Sequence, residues 1–451
     1  MTDTADTDVL NGYFRDRDIN SLAEDLRNRR VTSVELVGHS LAAIARLNPI
    51  LNAFTSVGAD NAMAGAERAD DELARGRDRG PLHGIPVSVK DLIDIAGQVT
   101  TRGSKVHRHR PAEHDAECVR RLRAAGAVIV GKNVLHEFAY GATGDRSAHG
   151  ASRNPSDPTR ISGGSSGGGA AATAAGMVPL AVGTDTAGSV RVPAALCGVV
   201  GFKPAYGAIR TRGVHPLAPS LDHVGIFAGT SADAALGYAV MAGTVQPLGK
   251  ASARVGWLDP SCIGPTDPAV TATVRAALEV AGLLSDDVVR LPFRAGELFS
   301  VLSVLQASEA YAEHADDLTG RRDDIDPEVV DRLIRGRQMS AWEYLRADRA
   351  RDELRSATAE LFRRFDVIAM PTVPTVATDV DQRAHVIDGE AVEVRSALLS
   401  LTCPWNLTGQ PAVSLPVGGV SGLPVGLQLI TATGREHMMF GVADAVEGAL
   451  R

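Results

Sequence analysis

The chain has 451 residues, 44% of them hydrophobic and 22% charged, a globular balance with enough apolar side chains for a large core. A net charge of −8 argues against a nucleic-acid partner, which asks for a basic face. The acidic start MTDTADTDVL lacks an apolar targeting segment, no run of about 18 apolar residues exists to span a membrane, and the four scattered cysteines, Cys118, Cys197, Cys262 and Cys403, fit neither a zinc site nor a disulfide framework; a cytoplasmic setting is expected.

Two capping boxes open the chain, Ser21 with Glu24 and Thr32 with Glu35. The second starts a helix with Val34, Val37, Leu41 and Ile44 at helical spacing, ended by Asn48-Pro49. A short strand is expected over Leu51–Val57, and an alanine-rich amphipathic helix over Asp60–Arg75. PLHGIPVSVKDLID then gives a buried strand, Val87–Val89, that runs into Lys90 and Asp91. A lysine among buried β-branched residues is costly unless paired. Either Asp91 or Asp94 neutralises it in a salt bridge, or desolvation lowers its pKa and leaves a neutral base. Position in the sequence does not choose between them.

Asp115–Ala125 reads as a helix with Cys118, Leu122 and Ala125 on one face and Gly126 as its stop, followed at once by the strand Val128–Val130. This alternation predicts an α/β fold on a mixed, mostly parallel central sheet with helices on both faces. His136–Thr159 is loop-rich. RISGGSSGGGAAATAAGMVPLAVGTDTAGSVRVPAALCG, from Arg160 to Gly198, then frames two serine sites with glycines, Ser165-Ser166 and Ser189. A flexible linker would not carry Met177, Val178, Leu180 and Val182 a few residues on. The segment is therefore buried, and its glycines mark unusual dihedrals or close approach. Backbone N–H groups around Ser189 would make a nest for a developing oxyanion.

Val255–Leu258 and Val288–Leu291 read as strands around a helix, Pro268–Leu284. Ala295–Phe365 is helical and more charged, with Leu354, Ala357 and Leu361 on its last long helix. Asp366–Met370 and LPVGLQLI, Leu423–Ile430, return as strands. No repeat or low-complexity linker divides the chain. A single domain, 1–451, is expected, with a core at about 70–240 and 366–451 and a helix-rich variable layer at about 244–365.

Three chemistries compete for the serines. A phosphate loop needs a lysine where Gly169 stands, and that reading fails. Gly164–Gly168 spells the G-x-S-x-G of a nucleophile elbow, but an elbow follows a buried strand, and here the proline-broken NPSDPTRI comes first. The later histidines it would use, such as His215, His223 and His437, have no telling context. The third reading joins Lys90, Ser165 and Ser189.

On these residues the chain resembles the amidase signature family. The matching segments are GIPVSVKDLID (Gly84–Asp94), GGSSGG (Gly163–Gly168) and GTDTAGSVRVPAALCG (Gly183–Gly198), with TTRGS, AGAVIVGKN, GFKPAYG and NLTGQPAVSLPVG in support. The resemblance runs from Ile19 to Ile430, weakest between Gly243 and Phe365. It implies a Ser–Ser–Lys triad. Ser189 would attack an amide carbonyl to form an acyl-enzyme. Ser165, held after a cis peptide at Gly164–Ser165, would bridge Ser189 and Lys90, and neutral Lys90 would move the proton through Ser165 to the leaving nitrogen.

The N–H groups of Thr186, Ala187, Gly188 and Ser189 would form the oxyanion hole. Ser166 is expected to support the turn, and Asp185 and Arg191 to form a buried pair that fixes the loop, with Asp222 in the same network. Two positions depart from the family pattern. Gly169 stands where serine or glutamate is usual, and Ala187 where a second glycine is usual. Ala187 requires backbone angles that a Cβ tolerates, and it bears on substrate size.

The implied activity is hydrolysis of a non-peptide carboxamide to a carboxylate and ammonia or an amine, without metal or organic cofactor, by a homodimer. Two alternatives lie within the family: the amidase component of a glutamyl/aspartyl-tRNA amidotransferase, and a ureide or carboxybiuret hydrolase that needs a small partner subunit. Transamidase members usually carry glutamine after Ser-x-Arg, where this chain has Val192, which favours the hydrolase. Ala187 and EFAYG, Glu137–Gly141, resemble the ureide and carboxybiuret branch. A non-catalytic binding module gives no reason for the lysine, both serines and the oxyanion loop together. Glu137–Arg146, Pro216–His223 and Ser300–Arg346 are expected wall segments of the substrate pocket.

Overall fold

The computed structural model describes residues 10–244, 253–284, 288–289, 291 and 295–451. Its frame is an eleven-stranded sheet. In chain order the strands are β1 (Phe54–Val57), β2 (Pro86–Lys90), β3 (Val128–Asn133), β4 (Leu180–Asp185), β5 (Val200–Lys203), β6 (His223–Ala228), β7 (Val255–Leu258), β8 (Val288–Val289), β9 (Val367–Pro371), β10 (Ala412–Val420) and β11 (Leu423–Thr431). Across the sheet they lie in the order β1-β3-β2-β4-β6-β5-β10-β11-β9-β7-β8.

The α/β class and the mixed sheet match the expectation, but the balance of pairing differs. Parallel ladders join β3–β2, β2–β4, β9–β7 and β7–β8. The other ladders, including every one between β4 and β9, are antiparallel. The reason lies in the connections. The helix Arg191–Cys197 carries the chain from β4 to β5, and β6 then inserts between them in the opposite direction. A crossover that reads locally as parallel thus yields two antiparallel ladders. β10 and β11 form a hairpin through Ser421 and Gly422 with φ of 53° and 80°, the two-residue turn whose twist suits antiparallel strands.

Both faces of the sheet are covered. Val87, Val89, Leu180 and Val182 point to one core, shared with Phe202, Tyr238 and Phe440. The alternate residues Val128, Val130, Ala181 and Phe227 point to another, shared with the helices Ser33–Leu51 and Gly167–Ala174. This is the period-two alternation of a strand buried on both sides. From Gly167 to Thr173 every residue of the glycine–alanine helix is buried, as its small side chains require.

Several boundaries move from their expected places. The first helix, Ile19–Arg27, is capped by Asp18, whose carboxylate accepts from the Ser21 N–H at 2.8 Å; Ser21 lies inside the helix and does not cap it. The Thr32–Glu35 box forms as expected. Its helix continues through Pro49 to Leu51, and the strand after it starts at Phe54. The segment before Ser162 is not a plain loop but a short two-stranded ribbon, Arg153–Asn154 with Asp157–Ile161.

Residues 245–252, 285–287, 290 and 292–294 of the expected variable layer lie outside the described residues. The rest of that stretch holds β7, β8 and the helices Pro268–Val280, Ala295–Arg321, Pro327–Arg337 and Ala341–Arg364. Among the described residues no helix is long and apolar enough to cross a membrane.

Phe202 on β5 meets Tyr238 and Phe440 edge-on, with ring centroids 5.3 and 4.9 Å away. It pins the helices Ser231–Ala242 and Glu436–Leu450 to the sheet. Phe202→Ala is expected to cost about 3–5 kcal/mol, read as a lower urea midpoint. An unchanged midpoint would contradict this packing.

Candidate active site

β2 and β4 run parallel and side by side, so their carboxyl ends open on the same edge of the sheet, where α/β folds place ligands. Lys90 is the last residue of β2, and Thr184 and Asp185 end β4. The Lys90 side chain is 1% exposed. Its Nζ lies 2.7 Å from Ser165 Oγ and 2.7 Å from Thr184 Oγ1.

Among the described residues no carboxylate pairs with Lys90. Asp91 is bound to Lys132 at 2.8 Å. Asp94 takes His215 Nε2 at 3.0 Å and the Thr100 hydroxyl at 2.7 Å. The salt-bridge reading of Lys90 is therefore replaced by the hydroxyl-bound one. Burial brings its pKa down from an ordinary 10.5 to about 7, with Asp222 and Asp185 only partly offsetting the loss of water.

Ser165 is fully buried, follows a cis peptide at Gly164–Ser165, and its carbonyl accepts from the His136 N–H at 3.0 Å. Ser166 ties this segment to β4: its hydroxyl donates to Thr184 O at 3.1 Å and accepts from Thr184 N at 3.2 Å. The Ser166 N–H donates to Ser189 O at 3.2 Å, which sets the two serine segments side by side. Thr184 and His136 are not singled out by the sequence. The β2–β4 register, with Val89 across from Val182, places Thr184 one residue beyond the position facing Lys90.

The turn Thr186–Ser189 leaves β4 and leads into the helix Arg191–Cys197. Gly188 has φ of 139°, and a Cβ there would run into the Thr402 side chain. Glycine is required at this position. Ala187 lies outside the left-handed region, so its Cβ is tolerated. It packs with Ala142, Val192 and Leu398, and its carbonyl accepts from Thr402 Oγ1 at 2.7 Å.

Below the turn, Asp185 and Arg191 form the expected buried pair at 2.9 Å, neither side chain exposed. Arg191 Nε and Nη2 donate to the two Asp185 oxygens, Nη1 to Thr402 O and Gln428 Oε1, and Nη2 also to Asn406 Oδ1. All five N–H donors of the guanidinium are used. Burial raises the Asp185 carboxyl, and Arg191 overrides it, holding it well below the usual carboxylate range. The Val190 N–H also donates to Asp185 Oδ2, at 3.2 Å. Asp222 holds the other side of the turn, accepting from Thr186 Oγ1 at 2.6 Å and from the N–H groups of Leu217 and Ala218. Burial raises Asp222 to about 6.

Of the expected wall segments, Glu137–Arg146 passes directly by Ser165, since the Gly141 carbonyl and Gly144 N–H abut Gly164. Two guanidiniums meet at Tyr140. Arg332 donates to its carbonyl at 2.7 Å and binds Glu328 at 3.1 Å, and Arg395 lies 5.7 Å from its ring centroid, its Nη2 donating to Gln306 Oε1 at 3.4 Å and its Nε buried without a partner among the described residues. Burial, and after it Arg395, lowers Arg332 to about 10.

The profile of the Amidase family matches residues 35–440. The chain is 39% identical to the AtzE subunit of 1-carboxybiuret hydrolase from Pseudomonas sp. (strain ADP), over 92% of this chain and 95% of that one. It is 36% identical to a glutamyl-tRNA(Gln) amidotransferase subunit of Chloroflexus aurantiacus, over 92% and 93%. Among solved structures, one of a vestigial protein complex bearing on the origins of an s-triazine catabolic enzyme, inhibitor-bound, superposes with a TM-score of 0.92 at 37% identity, covering 96% of this chain and all of that one.

Breaking the buried pair from one side leaves a lone charge in the core. Arg191→Met is expected to cost about 3–5 kcal/mol, measured by urea unfolding. A loss below about 1 kcal/mol, the range of exposed pairs, would contradict its role in fixing the turn.

Proposed function

The chain belongs to the amidase signature family and is an amide-hydrolysing enzyme, and we propose that Ser189 is its nucleophile, activated by Lys90 through Ser165. The observation that carries this reading is a buried lysine whose Nζ rests on two hydroxyls and, among the described residues, on no carboxylate. In its neutral form Nζ donates one N–H to Thr184 Oγ1, which aims its lone pair at Ser165. Ser165 passes its proton to Lys90 while taking that of Ser189, and Ser189 Oγ adds to the amide carbonyl. The N–H groups of Thr186, Ala187, Gly188 and Ser189 receive the oxyanion, and removing one such donor typically costs roughly 3 kcal/mol of transition-state stabilisation.

The proton then returns through Ser165 to the leaving nitrogen as the C–N bond breaks, because an amide anion cannot leave unprotonated. Ser189 is left as an acyl ester. Water adds to it and gives a proton through Ser165 to Lys90; the bond from the acyl carbon to Ser189 Oγ then breaks, the proton returns through Ser165 to Ser189 Oγ, and the acid leaves as carboxylate and a proton. Nothing in these steps calls for a metal or organic cofactor.

The substrate we favour is a small amide with an acidic group. Arg332 and Arg395 around Tyr140 support it: Glu328 answers Arg332 at 3.1 Å, while the Arg395 Nε is buried without a hydrogen-bond partner among the described residues, so an anion would complete the pairing. A second reading, a hydrolase component that needs a small partner, rests on the 39% identity to a protein named as one subunit of a hydrolase.

Ammonia release by the purified chain, on a panel of aliphatic, aromatic and ureide amides, tests the proposal. Ser189→Ala and Lys90→Ala are expected to lower turnover by about 10⁴-fold or more. Ser165→Ala should keep a small residual rate through a bridging water. Full turnover in folded Ser189→Ala would sink the mechanism. Since the neutral lysine is the active form, kcat/KM should rise as pH increases through about 7 and level off above it. A profile flat from pH 6 to 8 would exclude Lys90 as the base.

A further inference from the structure

A second charged cavity, of about 440 Å³, lies beyond the carboxyl end of β2, and nothing in the amide chemistry uses it. Its wall is Arg102, His107, Arg108, His109, Arg110 and His215, facing a single lining carboxylate, Asp94. Among the described residues none of the three arginines is in an ion pair within 4.0 Å. The Arg102 Nε is buried without a hydrogen-bond partner. Burial lowers the pKa of its guanidinium, with Asp317, Asp94 and Glu313 only partly compensating.

Two of the nearby acids are already engaged, and the third, Glu313, is exposed to solvent. Asp94 accepts from the Thr100 hydroxyl and binds His215, and Asp317 binds His107 at 3.2 Å and His314 at 3.0 Å. Three guanidiniums therefore share a concave surface with one carboxylate that has other partners, inside a chain whose net charge is −8. Like charges gathered this way destabilise the empty site and favour a counter-ion.

The basic loop is also anchored. Its far end is clamped to the segment after Asp94 by Ala112 N to Gln98 O at 2.8 Å, Gly97 N to Ala112 O at 2.9 Å and a bridge between Val99 and Pro111. The backbone that carries Arg108 and Arg110 is thus fixed at its far end, next to the cavity that Arg102 also lines, which reduces the ordering cost of binding.

We propose that this cavity binds a small multivalent oxyanion, a phosphate or carboxylate compound held by the forks of Arg102, Arg108 and Arg110. Planar guanidiniums match both oxyanions in a two-point fashion, and the cavity has the size of a small-molecule site. The inference is independent of the catalytic reading.

Isothermal titration of the full chain with pyrophosphate and with citrate tests it, and the tighter of the two tells a phosphate from a carboxylate site. The wild type and Arg395→Gln are expected to show the same saturable event, which separates this site from the arginines proposed to receive the amide substrate. The Arg108→Gln/Arg110→Gln double variant, altered only at exposed positions, should bind at least about tenfold more weakly with amide turnover unchanged. Arg102→Gln should bind more weakly still; if it fails to fold, the double variant carries the test. No saturable binding of either anion at millimolar concentration overturns the proposal, and so does equal binding by the double variant. Binding of long polyglutamate alone, without either small anion, overturns it in favour of a surface for an acidic macromolecule.

Discussion

Lys90 is held where an ammonium ion is poorly solvated, and the organisation of the site follows from that. Transfer of an unpaired charge into a protein interior is costly enough that the group gives up its proton instead. Carboxylates stand close by in the sequence, yet each is occupied: Asp91 by Lys132, Asp94 by His215 and Thr100. The fold spends a second buried lysine to keep Asp91 away from the first. What remains for Lys90 is two hydroxyls at 2.7 Å, partners that a neutral amine satisfies as well as an ammonium ion does.

The same edge of the sheet holds a contrasting case. Arg191, as deeply buried, keeps its charge because Asp185 answers it and every donor is used. One cation is made permanent and braces the turn; the other has its pKa brought down to about 7 by burial. The turn between them, Thr186–Ser189, is gripped from below by Asp185, from the side by Asp222 and from behind by Thr402. Preorganisation of this kind lets backbone dipoles stabilise developing charge without rearranging during reaction.

Much of this is legible in the sequence alone. The glycine-framed serines and the lysine in a β-branched strand are local patterns, each with its own physical signature, and the Asp185–Arg191 pair expected from the family resemblance forms where it is expected. The sheet is legible only in part. β2, the helix Glu117–Ala124 and β3 follow local alternation, but the insertion of β6 between β4 and β5 depends on long-range pairing that no window of sequence displays. The choice between a salt bridge and a neutral Lys90 is likewise closed to sequence. It depends on Lys132, which reaches Asp91 from the neighbouring strand. Ser21 misleads for a simpler reason: Asp18, a better-placed acceptor, stands one turn earlier.

The central claim is that Lys90 makes Ser189 a nucleophile through Ser165. The most direct test is to quench the chain during turnover of a slow, activated amide and map the acyl group by peptide mass spectrometry. The account predicts a single acyl adduct on the peptide that contains Ser189, absent from Ser189→Ala and from Lys90→Ala. An adduct on Ser165 or a cysteine, or one on Ser189 that forms as fast without Lys90, would contradict it.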